Sequence, residues 1–332
     1  MRAAVISAPG EVEVTTLPDP TPSPRDVVVQ VTACGICGTD LHILDGEFAP
    51  SLPIVPGHEF SGEVVALGSE VTGLAVGDQV AVDPSLHCHQ CRYCRIGRGN
   101  LCENFAALGV TAPGGAAEFA VAPASNCFRL PAGVSTGDAA LIEPLSCAVH
   151  GFDRLGSHLA DDFLIYGAGT MGLMMMELAK RAGAASVSMV DVNPARLETA
   201  KLLGCDNAVT SADELDYPYG WGVVVDCTGA VAAIEDGIPR VDRGGTFLQF
   251  GVSAEKAEAR FSPYRVYNHE ITLTGSMAVL HSFERAGALF VAGALQPDVM
   301  ISDRLPLGSY VEALEHARAG VGRKIVVEPG LG

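Results

Sequence analysis

The chain has 332 residues, enough for two domains that each bury a core. Its formal net charge of -18 speaks against general nucleic-acid binding, which relies on clustered Lys and Arg. Although 48% of the residues are hydrophobic, no apolar run approaches the ~18 needed for a membrane span. The stretch from Ala286 to Leu295 is only ten residues long, and that from Phe163 to Met176 is broken by glycines and Thr170. The opening M-R-A-A-V-I-S lacks the apolar core of an export signal, so the chain reads as soluble and cytoplasmic. Ten cysteines without an export signal read as metal ligands rather than as a disulfide framework.

Short apolar or alternating bursts at 2–7, 11–16 and 27–33, broken by Pro and Gly, predict strands of an irregular β domain. Pro18 to Pro24 is a loop. The first chemistry-bearing stretch follows: C-G-I-C-G-T-D-L-H from Cys34, then P-G-H-E ending at Glu59. Cys37, Thr39, His42, His58 and Glu59 lie within 23 positions, next to Gly35, Gly38 and Gly57. Taken singly, Cys37 reads as buried filler and His58 as a satisfied loop histidine. Together, a thiolate, imidazoles and a carboxylate suit a borderline-soft divalent ion, zinc above all. The stretch is short of donors for a closed shell, which is what separates a catalytic zinc from a structural one.

Gly62 to Gly68 and Gln79 to Val82 continue the β pattern, with a turn at Gly77-Asp78. Cys88, Cys91, Cys94 and Cys102 are then spaced C-x2-C-x2-C-x7-C. Four thiolates in 15 residues can wrap one ion tetrahedrally and leave no open position, as a structural zinc requires. Unliganded thiols or an iron–sulfur cluster are the alternatives. His87 and His89 beside them read as surface residues. Glu118, inside an apolar run, reads as a buried, hydrogen-bonded structural carboxylate. Glu143, before Pro144 in L-I-E-P-L-S-C-A-V-H-G, opens a buried helix. An acid there needs a partner: a metal ion, water bound to one, or the helix dipole. Cys147 and His150, further along, read as packing residues.

From Asp161 the rhythm becomes strand, helix, strand, helix. F-L-I-Y leads into Gly167-Ala-Gly169-Thr-Met-Gly172 and a helix from Met171 to Ala182, and V-S-M-V-D ends at Asp191, 19 residues after Gly172. In that context G-x-G-x-x-G is a dinucleotide fingerprint: pyrophosphate at the helix N-terminus, close packing at Gly172, ribose hydroxyls on Asp191. Asp191 would repel a 2′-phosphate, which favours NAD over NADP, with Arg196 as the counter-signal. Loops at Thr228-Gly229 and Phe250-Gly251-Val252 should face the cofactor. The tail predicts helices at 281–292 and 309–319 and a last strand, Lys324 to Glu328.

C-G-I-C-G-T-D-L-H and P-G-H-E resemble the catalytic-zinc motifs of the medium-chain alcohol and polyol dehydrogenases. The resemblance implies an α/β protein: a GroES-like irregular β catalytic domain, 1–147 with 277–332, and a Rossmann domain with a doubly wound parallel sheet, 148–276. It implies two zinc ions per subunit, one on the four-cysteine lobe, and a homodimer or homotetramer. For the catalytic ion it implies Cys37, His58 and Glu143, with Glu59 a direct or indirect ligand, and Thr39 and His42 passing the substrate proton to solvent. E-P-L is similar to polyol and threonine dehydrogenases, so the expected reaction is hydride transfer from a secondary alcohol of a small polyol to NAD, giving a ketose. Sorbitol dehydrogenases place a Tyr after the relay His; here Ile43 stands, as in threonine dehydrogenases, making a 2-amino-3-hydroxy acid the next candidate and a simple secondary alcohol the third. A non-catalytic nucleotide sensor would usually lack the metal ligands that this chain keeps.

Overall fold

The computed structural model describes residues 1–47, 51–156 and 158–331. The chain divides into two compact units, Met1–Ser146 with Val279–Gly332, and Cys147–Ala278.

The first unit is built on a seven-stranded sheet. Its central path runs Ile301–Pro306, Lys324–Glu328, Asp26–Gly35, Glu59–Leu67, Gln79–Val82, Cys127–Arg129, with Phe119–Pro123 also pairing Asp26–Gly35. The alternation of Val27, Val29 and Val31 with Gln30 and Thr32 is the period-2 pattern of a strand with one buried face. Those valines pack with Phe60, Val64, Val80, Ile325, Val327 and the buried Tyr310 and Leu314 of the helix Tyr310–Arg318. Among the strands that escaped the sequence reading are Ile301–Pro306 and, in the second unit, Asn207–Val209. The first is interrupted by Asp303 and Arg304 and the second has three residues, so neither carries a readable apolar rhythm.

The second unit holds a six-stranded parallel sheet. In chain order its strands are Asp162–Tyr166, Ser186–Val190, Asn207–Val209, Trp221–Asp226, Val241–Gln249 and Thr272–Gly275; in space they run third, second, first, fourth, fifth, sixth. Strands in such a sheet are buried on both faces and read as continuous apolar runs, as F-L-I-Y and V-V-V do here. Tyr166 pairs with Val190 and Asp226, and Asp226 with Gln249, so four strands end at one level. The order reverses between the first and fourth strands, which is where an open parallel sheet places its ligand.

Candidate metal and nucleotide sites

Cys37, His58 and Glu59 come together: their donor atoms all lie within 4.8 Å of one another. Two local structures do this. Cys37 is the N-cap of the helix Gly38–Leu44, whose Asp40 accepts a hydrogen bond from the Cys37 N–H at 2.8 Å. His58 and Glu59 follow Gly57, which has φ +89 and whose Cβ, if present, would lie 2.4 Å from Cys34 Sγ; only Gly fits. Asp40 joins the two turns, since its other oxygen accepts from the Gly57 N–H at 3.3 Å and stands 3.8 Å from His58 Nδ1.

The electrostatics favour a cation. His58 is 7% exposed. Burial alone lowers its pKa, yet Cys37, Asp40 and Glu143 together raise it well above the usual value. Burial pushes the Asp40 carboxyl up, against the pull of His58 and the Cys37 N–H. His58 Nδ1 is buried without a hydrogen-bond partner. A thiol, an imidazole with an orphaned nitrogen and anionic neighbours fit a divalent ion.

Glu143 is buried in the first turn of the helix Ile142–Asp153 and acts on His58 through its charge, but it stands outside the tight group of three. Thr39 Oγ1 lies 3.7 Å from Cys37 Sγ. His42, one turn along the same helix, holds Glu47 at 2.5 Å through Nδ1. Ile43 is fully buried against Ile6 and Ile54, so it is a core residue and not a contact for substrate.

Sequence reasoning passed over two residues here. Asp40 had a signal, the third helical position after an N-cap, where a carboxylate reaches back to the cap N–H. Lys324 had none. It was read only as the start of a strand, yet its Nζ lies 2.7 and 2.6 Å from the two oxygens of Glu59.

The four lobe cysteines also converge, all four sulfurs within 4.8 Å of one another, with Cys88–Cys94 at 4.0 Å and Cys91–Cys102 at 3.9 Å. A tetrahedron with corners ~2.3 Å from a zinc ion has edges of ~3.8 Å, so the cage is the right size. Backbone N–H groups of Gln90 and Cys91 draw the Cys88 thiol down to about 6, while burial and the neighbouring thiols push Cys94 up to about 12. Four sulfurs so close ionise together only around a cation. Two expectations need correction. His87 is not a plain surface residue, because its Nε2 is buried. Glu118 is hydrogen-bonded, to the Arg2 N–H and Nε, but partly exposed rather than buried, in a bend just before the strand Phe119–Pro123.

In the second unit Gly169 caps the helix Thr170–Arg181. A Cβ at Gly172 would lie 1.7 Å from the Gly167 carbonyl, so that glycine permits the close turn, whereas the space beside Gly169 is open. Asp191 accepts from the Ala168 N–H and the Asn193 N–H, both at 2.8 Å, which ties it to the glycine loop. Arg196 stands 3.9 Å from Asp191. Asp226, missed in the sequence, is the hub of the neighbouring loops: it accepts from the N–H of Thr228 and Gly229 and from Gln249 Nε2, while its carbonyl accepts from the Gly251 N–H. Thr228, Gly251, Asp191 and the glycine loop thus share the carboxyl end of the sheet, and an open glycine at a helix N-terminus fits a dinucleotide phosphate.

Fold and sites together define a zinc-dependent dehydrogenase, and the comparisons agree. Residues 23–132 match the alcohol dehydrogenase GroES-like domain, and residues 170–292 the zinc-binding dehydrogenase family. D-arabinitol dehydrogenase 1 of Uromyces fabae is 36% identical over 92% of this chain and 90% of its own length. An L-threonine 3-dehydrogenase of Saccharopolyspora erythraea is 38% identical over 99% of both. A zinc-binding dehydrogenase of Sinorhizobium meliloti, solved with NADP bound, superposes with a TM-score of 0.95 at 32% identity, over 99% of both chains. The chain belongs to the zinc-containing medium-chain dehydrogenases. It is a nicotinamide-dependent alcohol or polyol dehydrogenase with a structural four-cysteine site and a catalytic Cys/His/Glu site. Among the described residues no helix is long and apolar enough to cross a membrane.

Proposed function

We propose that the protein oxidises a secondary alcohol of a small polyol or sugar alcohol to a ketose with NAD. The observation that carries the alcohol chemistry is the Thr39 hydroxyl 3.7 Å from the Cys37 sulfur, inside the donor group Cys37, His58 and Glu59. Cys37 and His58 hold the zinc, with Glu143 or Glu59 completing its protein shell. When bound, zinc supplies a Lewis acid that eases loss of the alcohol proton, and NAD supplies the hydride acceptor. Thr39 Oγ1 takes the alcohol proton. His42, oriented by Glu47, passes it to solvent. The arabinitol dehydrogenase supports the polyol choice.

Purified protein should contain two zinc ions per chain and produce NADH from pentitols and hexitols; no NADH from any polyol overturns the substrate reading. The second reading, L-threonine, rests on the Saccharopolyspora relative, and the same panel decides it. For the cofactor, Asp191 favours NAD by placing a carboxylate where a 2′-phosphate would sit. Asp191→Asn keeps an acceptor for Ala168 and should raise NADP use relative to NAD; an unchanged ratio places the preference elsewhere. We also expect a homo-oligomer, which sedimentation would detect.

A further inference from the structure

Tyr310 is fully buried, yet its hydroxyl has no hydrogen-bond partner. A buried tyrosine usually finds one, because an unpaired polar atom away from water costs free energy. The residue opens the helix Tyr310–Arg318 and belongs to the core that holds Cys34 and Ile36, before the Cys37 turn, and Leu41 and Leu44, after it. Register explains what lies at its tip. Arg318, at the far end of that helix, grips Asp45, the C-cap of the helix Gly38–Leu44. Tyr310 stands 8 positions before Arg318, and Cys37 stands 8 before Asp45, ~12 Å along each helix. The phenol feels that end: burial holds its pKa well above the ordinary value, and the charges of Asp40, Cys34 and Cys37 raise it further. The two helices therefore run side by side in one direction, pinned at one end by Arg318 and bringing Tyr310 level with the Cys37 cap at the other.

Asp40 is the acceptor that this hydroxyl lacks. Its carboxylate is fully buried and accepts from the N–H of Cys37 at 2.8 Å and of Gly57 at 3.3 Å, in the two turns that carry the metal donors. Two carboxylate oxygens offer about four lone-pair sites, so there is room for a third donor. The thiols nearby are weaker acceptors than a carboxylate. We propose that Tyr310 is a positioning residue: its hydroxyl donates to the Asp40 carboxylate in the metal-loaded protein and so locks the brace between the Cys37 and Gly57 turns. This rests on the reading of Cys37 and His58 as metal donors. Drawing Cys37 and His58 onto one ion tightens both turns around Asp40, which moves with them because it is bonded to each. That movement closes the remaining gap to the hydroxyl.

The test is a double-mutant cycle on the zinc affinity of the Cys37 group, read by chelator competition and metal analysis. Tyr310→Phe keeps the ring and removes the hydroxyl. It should weaken the hold on that ion ~10-fold, the low end of what an indirect partner of a metal changes, and leave the lobe's ion in place. In an Asp40→Asn background the same change should add little, since the charge that the hydroxyl serves is already gone. A role in packing alone predicts wild-type affinity in Tyr310→Phe, because the lost hydroxyl then had no partner, and that result overturns the proposal. So does a loss undiminished in the Asp40→Asn background, which would route the effect past Asp40. If Tyr310→Phe does not fold, Tyr310→Met, also without the hydroxyl, carries the same expectations in both backgrounds. Wild-type protein that takes up only one ion per chain, on the four cysteines, instead overturns the reading of Cys37 and His58.

Discussion

The two donor groups of the first unit are assembled by opposite routes. The four-cysteine lobe draws every donor from 15 residues of chain, mostly half-buried, with backbone N–H groups of the same loop pointing at the sulfurs. The Cys37 group takes donors from a helix cap and a strand start. It is braced by Asp40 and disputed by Lys324, which comes from the far end of the chain. A closed set of like donors needs only a loop of the right length. An open set, which must leave room for substrate, depends on neighbours that hold some groups in and others off.

Breaking each group should therefore have different consequences. The largest effect on rate is expected from Cys37→Ala: turnover falls more than ~100-fold, beyond the range set by indirect partners of a metal, while the nicotinamide still binds. Steady-state kinetics with cofactor titration check it, and retained turnover would remove Cys37 from the donor set. Cys91→Ser should reverse the balance, with less loss of rate and more of stability. A midpoint drop of roughly 5 °C corresponds to ~2 kcal/mol for a unit of this size. Calorimetry of the zinc-loaded protein reads it, and an unshifted midpoint would deny the lobe a structural role.

A subtler change sharpens the same contrast. Asp40→Asn keeps the size of the side chain, but one of its two accepting oxygens becomes a donor facing an N–H. Affinity at the Cys37 group should fall ~10–100-fold, with the lobe's ion retained. Chelator competition followed by metal analysis separates the two, and equal loss from both would mean general unfolding. The smallest effect is at Asp45, the C-cap of the Thr39 helix, which Arg318 grips at 2.7 and 3.1 Å. The Arg318 hydrogen bond holds the Asp45 carboxyl below its usual range. A depressed carboxylate stabilises above its unfolded pKa and loses that contribution as the pH falls through the folded one. Thermal scans should show Arg318→Ala slightly less stable than wild type near neutrality, with the gap closing in acid. A gap that persists in acid assigns the effect to something other than this pair.

The lobe was legible because spacing alone specifies it, and so was the glycine loop, whose strand and helix neighbours carry clear rhythms. Thr39 and His42 were legible as a pair because they lie one helical turn apart, which a sequence fixes. Ile43 carried only a likeness to threonine dehydrogenases, and its burial in the core was not legible from its place after the relay histidine. Asp191 was found as an acid after a strand, but its hold on the glycine loop through Ala168 was not visible. Asp226 ended a strand like any other polar residue until its bonds to Thr228, Gly229 and Gln249 were seen.

By itself the sequence determined what its local chemistry dictates: two domains, a four-thiolate cage, a dinucleotide turn, and a cluster of soft and hard donors around Cys37 and His58. Those depend on spacings of a few residues, where backbone geometry leaves few choices. Only the tertiary structure decided that Asp40 joins the two donor turns, and that Lys324, 265 positions from Glu59, reaches it over a glycine. The reason is that sheet pairing brings distant strands within ~5 Å of each other, and whether a side chain meets a partner there depends on the residue between them.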